Sequence, residues 1–504
     1  MRVSESVWAA MLLHEIQYTL LFLFLFAFCS STVVIFLSSL EDALLDGLWL
    51  LARLQGRLPA PAAVAPNTRT AQRPLAVLVP AWDEAEVLPQ SLGHFLSSAR
   101  YEHFRVFVGY YPNDPATREV LEGLAVEDER ILPVSTGEPG PTSKAHCLNA
   151  VLAEILAWEA RNGLRFAGFV LQDAEDVSHA DALAHFDSLL HDYDLIQLPV
   201  FPMVERTRHL VGGHYLDEFA EKHAQEAPLR GLLSGVVPGA GVATAYGREA
   251  LLTVARANQG DAFRIGMLTE DYELSHRLAN EGTRQIFLRR LAGPGPGLNT
   301  CQDLLGTREI FPHSFSASLR QKTRWILGNV FQGWEHIGWR GRIAQRYFLY
   351  RDRKILLCGP AAFFSIAGLL YTGLADFVAR TAPAYAQPPL LPPEDPLWLL
   401  AYANLGFLLY RLAIRHLWVA ALHGWRQALP VLLRYVVGTV INYLALGRAS
   451  LQYFKHKITG EPLGWDKTRH HFPRSVSHQP ESPPPKNAPP IARGNTVRAA
   501  AAAR

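Results

Sequence analysis

The stretch FAGFVLQDAED, Phe166 to Asp176, decides how this chain is read. An apolar run, Phe169 to Leu171, stops abruptly at three carboxylates, Asp173, Glu175 and Asp176. Read as a buried strand, the run puts Asp173 and Glu175 at its C-terminal end, where open α/β sheets place their ligands. Carboxylates two apart at such an edge suit a hard divalent cation, Mg2+ or Mn2+, with phosphate oxygens completing its shell. A solvated acidic loop between strand and helix is the plainer reading of this segment alone. The rest of the chain has to decide.

The 504 residues leave room for more than one domain. Lys and Arg number 48 against 46 Asp and Glu, so no bulk charge attracts nucleic acid. The four cysteines, Cys29, Cys147, Cys301 and Cys358, are far apart and match neither zinc-site nor secreted-disulfide spacing. The soluble part therefore reads as cytoplasmic and reduced.

Apolar residues are unevenly spread. Tyr18 to Leu40 is long and apolar enough to cross a bilayer as a helix, and it lacks the features of a signal peptide. Arg53, Arg57, Arg69 and Arg73 follow it against Arg2 before it, which places the next domain in the cytoplasm. A second membrane-length run, 355–378, is preceded by Arg351, Arg353 and Lys354. A third, 397–414, carries Arg411 and Arg415 where the chain re-enters. The segment 417–447 is apolar but broken by His423, Arg426, Pro430 and Arg434. It fits either an interfacial element or short re-entrant pieces. The expected organisation is an N-terminal anchor (1–58), a linker (59–74), a cytoplasmic domain (75–340), membrane or interfacial helices (341–460) and a cytoplasmic tail (461–504), disordered after 473.

Within the soluble region, LAVLV (Leu75 to Val79), FRVFVGY (Phe104 to Tyr110) and Ile131 to Val134 read as strands, with a helix from Glu84. Leu148, Val151, Leu152, Ile155 and Leu156 recur at helical spacing from Ala145 onward. Leu195 to Val200 reads as a further strand. Strands alternating with helices imply an α/β domain with a mostly parallel sheet covered on both faces. No GxGxxG follows the first strand, so a dinucleotide site is not expected. Gly239 and Gly241 in PGAGVATAY permit a tight loop, and GPGPG (Gly293 to Gly297) reads as a mobile one. Thr269, Glu270 and Asp271 open a helical stretch, a pattern that is also an ordinary helix N-terminus. A basic helix, SLRQKTRWILGNVFQGW, carries Gln321, Arg324 and Trp325; alone, the last two would read as a membrane-interface anchor.

Taken in order, VPAWDE (Val79 to Glu84), Asn113-Asp114, SKAHCLN (Ser143 to Asn149), QDAED (Gln172 to Asp176), TED (Thr269 to Asp271) and Gln321-x-x-Arg324-Trp325 resemble the family 2 membrane glycosyltransferases. That group includes the polymer-synthesising enzymes. PLGWDKTRHHFP (Pro462 to Pro473), after TVINYLALGRA, is similar to the phage-adsorption-protein-B subgroup of bacterial inner-membrane enzymes. Longer members of that subgroup continue into a cytoplasmic regulatory domain, whereas this chain ends in the tail.

The resemblance implies a GT-A domain flanked by transmembrane helices in the bacterial inner membrane, and a role for each matching residue. Asp83 and Asp114 would hold the uracil and ribose of a UDP-sugar, and Lys144 would reach its diphosphate. Asp173 and Glu175 would bind Mg2+ or Mn2+. Glu175 departs from the family's usual Asp. Asp271 would be the general base of an inverting transfer, with Arg324 neutralising the leaving UDP. Glu270, Gln321 and Trp325 would meet the acceptor, a polysaccharide or lipid-linked glycan at the membrane. A partner protein completing an export path is compatible with this picture. The alternatives are a non-catalytic membrane component of surface polysaccharide assembly or phage adsorption, or a single-addition transferase acting on a lipid or protein.

Overall fold

The structure is a computed structural model that describes residues 5–58, 72–204, 207, 209–291, 304–463 and 472–473. Most of the Pro/Ala linker, the GPGPG loop and the tail beyond Pro473 lie outside the described residues.

The chain starts with a long helix, α1 (Glu5–Leu54), and enters the soluble domain through β1 (Leu75–Pro80), α2 (Leu88–Ser98), β2 (Phe104–Tyr110), α3 (Pro115–Glu127) and β3 (Ile131–Ser135). Next come α4 (Lys144–Asn162), β4 (Gly168–Leu171), β5 (Val177–Ser178), α5 (Ala182–Leu189), β6 (Leu195–Gln197) and β7 (Val200–Met203). Then follow α6 (Leu210–Glu221), α7 (Ala227–Ser234), β8 (Thr244–Gly247), α8 (Arg248–Arg256), α9 (Glu270–Asn280), β9 (Gln285–Phe287) and β10 (Thr307–Ile310). The C-terminal part comprises α10 (Phe315–Ile326), α11 (Gly333–Ile337), α12 (Ile343–Arg353), α13 (Ile355–Thr381), α14 (Leu397–His423), α15 (Trp425–Ala428) and α16 (Val431–Thr459).

Seven strands form one sheet in the order β3-β2-β1-β4-β8-β6-β9. Pairing is parallel except around β8, which runs antiparallel to both β4 and β6. Residues of β1 alternate between two cores, as the two-residue repeat of a strand requires. Leu75, Val77 and Val79 pack with Leu88, Leu92 and Phe95 of α2, while Ala76 and Leu78 pack with Leu148, Val151, Leu152 and Ile155 of α4. Both faces are therefore covered, as the strand and helix patterns imply.

Two local readings change. The helix after β1 starts at Leu88, not Glu84, with a proline in its first turn. Leu195 to Val200 is not one strand. The chain leaves the main sheet at Leu198-Pro199, and β7 joins β5 and β10 in a separate three-stranded sheet. Pro199 has no N–H to extend the ladder, but its carbonyl accepts from Thr307 N at 3.0 Å and so hands the chain to the second sheet.

Among the described residues four helices are long and apolar enough to cross a membrane: Leu12–Leu54, α13, α14 and α16. This is a membrane protein. The first helix extends beyond the expected 18–40 at both ends, and α14 continues past 414 to His423. Phe28 of α1 meets Leu390 and Leu391 of the Pro-rich loop at one end of the bundle. At the other end Arg351 and Lys354 pair with Asp42 at 2.6 and 3.0 Å, beside the α/β domain. The unsettled 417–447 region is the end of α14 and most of α16. Helix α16 lies along α6 and α10, burying Gly438, Ile441, Ala445 and Ala449 while exposing Val436, Val440, Leu444 and Leu451. The same helix is one of the four long and apolar enough to cross a membrane.

Asn149 from the SKAHCLN segment is a structural clamp. Its side chain donates to Phe263 O at 2.7 Å and accepts from Phe263 N at 2.9 Å, both buried. Asn149→Leu strands one backbone donor and one acceptor, so we expect a loss of about 2–4 kcal/mol. The check is a lowered thermal midpoint in detergent.

Candidate functional site

The acidic strand end, the TED segment and the QxxRW helix converge on one cavity of about 290 Å³. Lys144, Asp173, Glu175, Glu270, Asp271, Gln321, Arg324 and Trp325 all line it. Each arrives by a separate piece of local structure. Ser143 caps α4, accepting from His146 N at 3.2 Å, and this sets Lys144 at the first helical position. Asp173 and Glu175 follow the C-terminal end of β4. Thr269 is the N-cap of α9, so Glu270 and Asp271 sit in its first turn.

Lys144 Nζ donates to Asp173 Oδ1 at 2.5 Å and to Gly241 O at 3.0 Å. Burial alone would lower the Lys144 pKa, but Asp173, Glu270 and Asp271 outweigh it and hold the ammonium charged. Asp271 is raised to about 7, first by burial and then by Glu270, with Lys144 opposing. The glycine loop fits closely around the base position: a Cβ on Gly239 would stand 2.9 Å from Asp271 O. The loop is held by Gln197, which accepts from Ala240 N at 3.0 Å and donates to Val242 O at 2.8 Å.

Helix α10 continues through a π-helical turn, Leu327–Gln332, which carries Gly328 against Thr269. Gln332 then accepts from Leu268 N at 2.9 Å and donates to Gly266 O at 2.9 Å, tying the loop before TED to this turn. Trp325 stands 5.8 Å from Tyr215 and 6.3 Å from Phe311 between ring centroids, in an aromatic group with Phe219. Buried atoms without a hydrogen-bond partner, Thr269 Oγ1, Gln321 Oε1, Arg324 Nε and Asn329 Oδ1, belong to residues of the cavity wall. Such atoms are costly unless a ligand or water meets them.

Asp83 and Asp114 are arranged differently. Asp83 is exposed, with φ at +55°, while its neighbours Trp82 and Glu84 line the cavity. Asp114 is the N-cap of α3 and accepts from Thr117 N at 3.2 Å and Asp83 N at 2.6 Å. Its oxygens are thus engaged in shaping the Asp83 turn.

Sequence reasoning missed two residues here. Gln197 is fully buried in an otherwise apolar strand, and a lone polar residue in such a run was the available signal. Glu309 on β10 joins the cavity, with its carboxyl pushed well up by burial and then by Asp176, Glu175 and Asp173. A short TREI strand gives no hint of that. Among the described residues no group of three His, Cys, Asp or Glu could hold a metal ion by itself. The donor set nonetheless fits a hard cation, because Asp173 and Glu175 bring carboxylate oxygens to the cavity and the remaining ligands would come from phosphate and water.

Residues 72–328 match the family model described as glycosyltransferase like family 2. The chain belongs to glycosyltransferase family 2. Its sheet, with one reversed strand and the acidic edge at the cavity, is the GT-A fold of that family. This family 2 glycosyltransferase is 34% identical over 463 residues to bacteriophage adsorption protein B of Escherichia coli strain K12, covering 88% of this chain and 61% of that protein. The same values hold for bacteriophage N4 adsorption protein B of Escherichia coli O157:H7. The chain thus spans 61% of the length of these relatives. Among solved structures, mannosyltransferase PcManGT from Pyrobaculum calidifontis, in complex with GDP-Man and Mn2+, aligns at TM-score 0.49 and 16% identity, covering 82% of this chain and 98% of that one. Glucosyl-3-phosphoglycerate synthase from Mycobacterium tuberculosis, in complex with Mn2+, UDP-glucose and phosphoglyceric acid, aligns at TM-score 0.29 and 17% identity, over 48% of this chain and 81% of that one.

The approach of Gly328 to Thr269 gives a test of this site. A Cβ there would fall 2.3 Å from Thr269 Oγ1. Gly328→Val should push the TED turn off its position and lower glycosyl transfer about 100-fold, the scale of a 1 Å misplacement. Transfer assays on the folded, detergent-purified variant check this.

Proposed function

We propose that this enzyme is a metal-dependent, inverting transferase of the bacterial inner membrane. Its catalytic domain faces the cytoplasm, and it moves a sugar from a nucleotide donor, a UDP-sugar, onto a growing cell-surface glycan. The observation that carries the reading is the cavity in which Lys144, Asp173, Asp271 and Arg324 meet. A non-catalytic membrane component has no use for so many buried and half-buried charges in one place, since each is costly to desolvate.

In this mechanism Lys144 and Arg324 bind the diphosphate, and Asp173 and Glu175 would hold Mg2+ or Mn2+. The ion would supply charge neutralisation for the departing UDP. Asp83, with its turn fixed by Asp114, lies on the nucleoside side. Trp325, Gln321 and Glu270 orient the acceptor sugar. The acceptor hydroxyl attacks the anomeric carbon as its proton passes to the Asp271 carboxylate. The bond from that carbon to the diphosphate oxygen breaks with its electron pair leaving on UDP, and the configuration inverts. A second, polar cavity of about 260 Å³, between α6, α14 and α16, supports a glycan path toward the membrane helices. It shares Glu218 with the first cavity, and Asn442, Thr439, Tyr435 and Tyr443 give it the hydroxyl and amide lining that carbohydrate suits.

The deciding experiment is UDP release by purified enzyme across a panel of UDP-sugars with Mn2+, Mg2+ or chelator. Turnover with one sugar that chelation removes is expected; metal-independent turnover overturns the cofactor assignment. Asp271→Asn should cut kcat by about 100-fold or more, the usual reach of a general base, while UDP affinity stays near wild type. The base must be ionised, and Asp271 is raised to about 7. In wild type kcat should therefore fall on the acid side of about pH 7, and a flat profile from pH 5 to 8 would count against Asp271. Asp173→Asn should weaken Mn2+-dependent UDP binding in calorimetry.

A further inference from the structure

The Arg351-Asp352-Arg353-Lys354 run reads from sequence as the basic flank of a membrane span. In the structure its four side chains diverge to different partners. Arg351 and Lys354 pair with Glu41 and Asp42 of α1. Arg353 donates to Gly333 O at 3.0 Å and lies over the rings of Trp334 and Trp339. Asp352 turns to the catalytic domain. It accepts from Arg230 Nη1 at 2.7 Å and Nη2 at 2.8 Å, and from the hydroxyl of Tyr272 at 2.5 Å. Arg230 also reaches His276 Nε2 at 3.2 Å, one helical turn beyond Tyr272 on α9. Burial keeps that histidine neutral, with Arg230 adding to the effect, so its ring nitrogen accepts.

Tyr272 directly follows Asp271. Successive helical residues point about 100° apart, so a contact that fixes Tyr272 on one side fixes the direction of Asp271 on another. The first turn of α9 needs such a contact. Its N-cap Thr269 makes no side-chain cap bond, and two acids, Glu270 and Asp271, lie side by side in the buried turn. Tyr272 is packed as well as bonded, against Ile337 and Leu349 and within 3.3 Å of where a Gly333 Cβ would stand.

We propose that Asp352 is a positioning residue for Asp271, acting through Tyr272, so that the junction into membrane helix α13 holds the base at its working angle. The proposal rests on Asp271 being the base. Asp352 touches neither donor nor acceptor; it sets where the carboxylate of Asp271 points.

Tyr272→Phe tests this, because it keeps the ring and removes only the hydrogen bond. Three readouts on the full-length enzyme in detergent separate the outcomes. Hydrogen exchange of the amides of residues 270–274 should speed up at least tenfold, while the β1 and β4 amides stay unchanged. The kcat for UDP release should fall ten- to a hundredfold, with KM for the UDP-sugar and Kd for UDP within twofold of wild type. Asp352→Glu should recover part of the loss, as Asp352→Asn should not. Unchanged exchange and unchanged kcat in Tyr272→Phe overturn the proposal, as does a loss of UDP affinity equal to the loss of kcat. Asp271→Asn serves as the separate control: if it keeps wild-type turnover, the base assignment fails, and the exchange data still decide whether Asp352 holds the turn. If Tyr272→Phe does not accumulate folded, Asp352→Asn read by the same exchange experiment decides.

Discussion

A half-buried ammonium, Lys144, ties together three parts of the catalytic half. Taking a lone charge out of water costs several kcal/mol, and the site offsets that with Asp173 at 2.5 Å and the Gly241 carbonyl at 3.0 Å. These two contacts join three pieces that are remote in sequence: the capped start of α4, the end of β4 and the loop before β8. Gly241 has φ at +77°, and a Cβ would sit 3.4 Å from Lys144 Nζ, so the close carbonyl contact depends on glycine there. Lys144 does not balance the cavity. Asp176 is pushed well up, first by burial and then by Asp173 and Glu175, and Glu309 shares that crowding. Carboxyls held protonated by such crowding ionise more readily when a ligand brings positive charge with it, which is the physical argument for a cation bound together with the diphosphate.

Charge also governs how the membrane helices meet the enzyme. Basic residues beside a span are the sequence signal for its orientation in the bilayer, and Arg351, Lys354, Arg411 and Arg415 are read that way in the sequence. Here the same side chains are paired: Arg411 and Arg415 with Glu221 at 2.5 and 2.9 Å, and Arg411 also with Asp46 at 3.1 Å. All are partly buried, so solvent screens them less than it screens pairs on an open surface. The cations that the sequence places beside the spans thus dock helices α1 and α14 on α12 and α6.

Much of the fold is legible in the sequence because its causes are local. A run such as Phe104 to Tyr110 is strand by composition alone, and β2 begins and ends where that run does. The apolar face from Leu148 to Leu156 likewise locates α4, which starts at Lys144, one residue before the expected Ala145. Leu195 to Val200 misleads for the opposite reason. Apolar composition continues through Pro199, and only the distant Gly306 and Thr307, which receive the turning chain, show that it changes sheets.

The same distinction separates the legible from the hidden part of the site. TED and QxxRW are compact because each sits within a turn or so of one helix, and the cavity gathers both. Glu309, Gln197 and Asp352 act across gaps that no spacing rule spans; the Tyr272–Asp352 bond joins residues 80 apart. Asp114 shows that a motif position also carries structural work that the motif does not display, since its oxygens hold backbone N–H groups. A motif records which residue types a site requires. Which of them meet the ligand and which hold the others in place depends on hydrogen bonds that form only after the sheet, the second sheet and the membrane helices have come together.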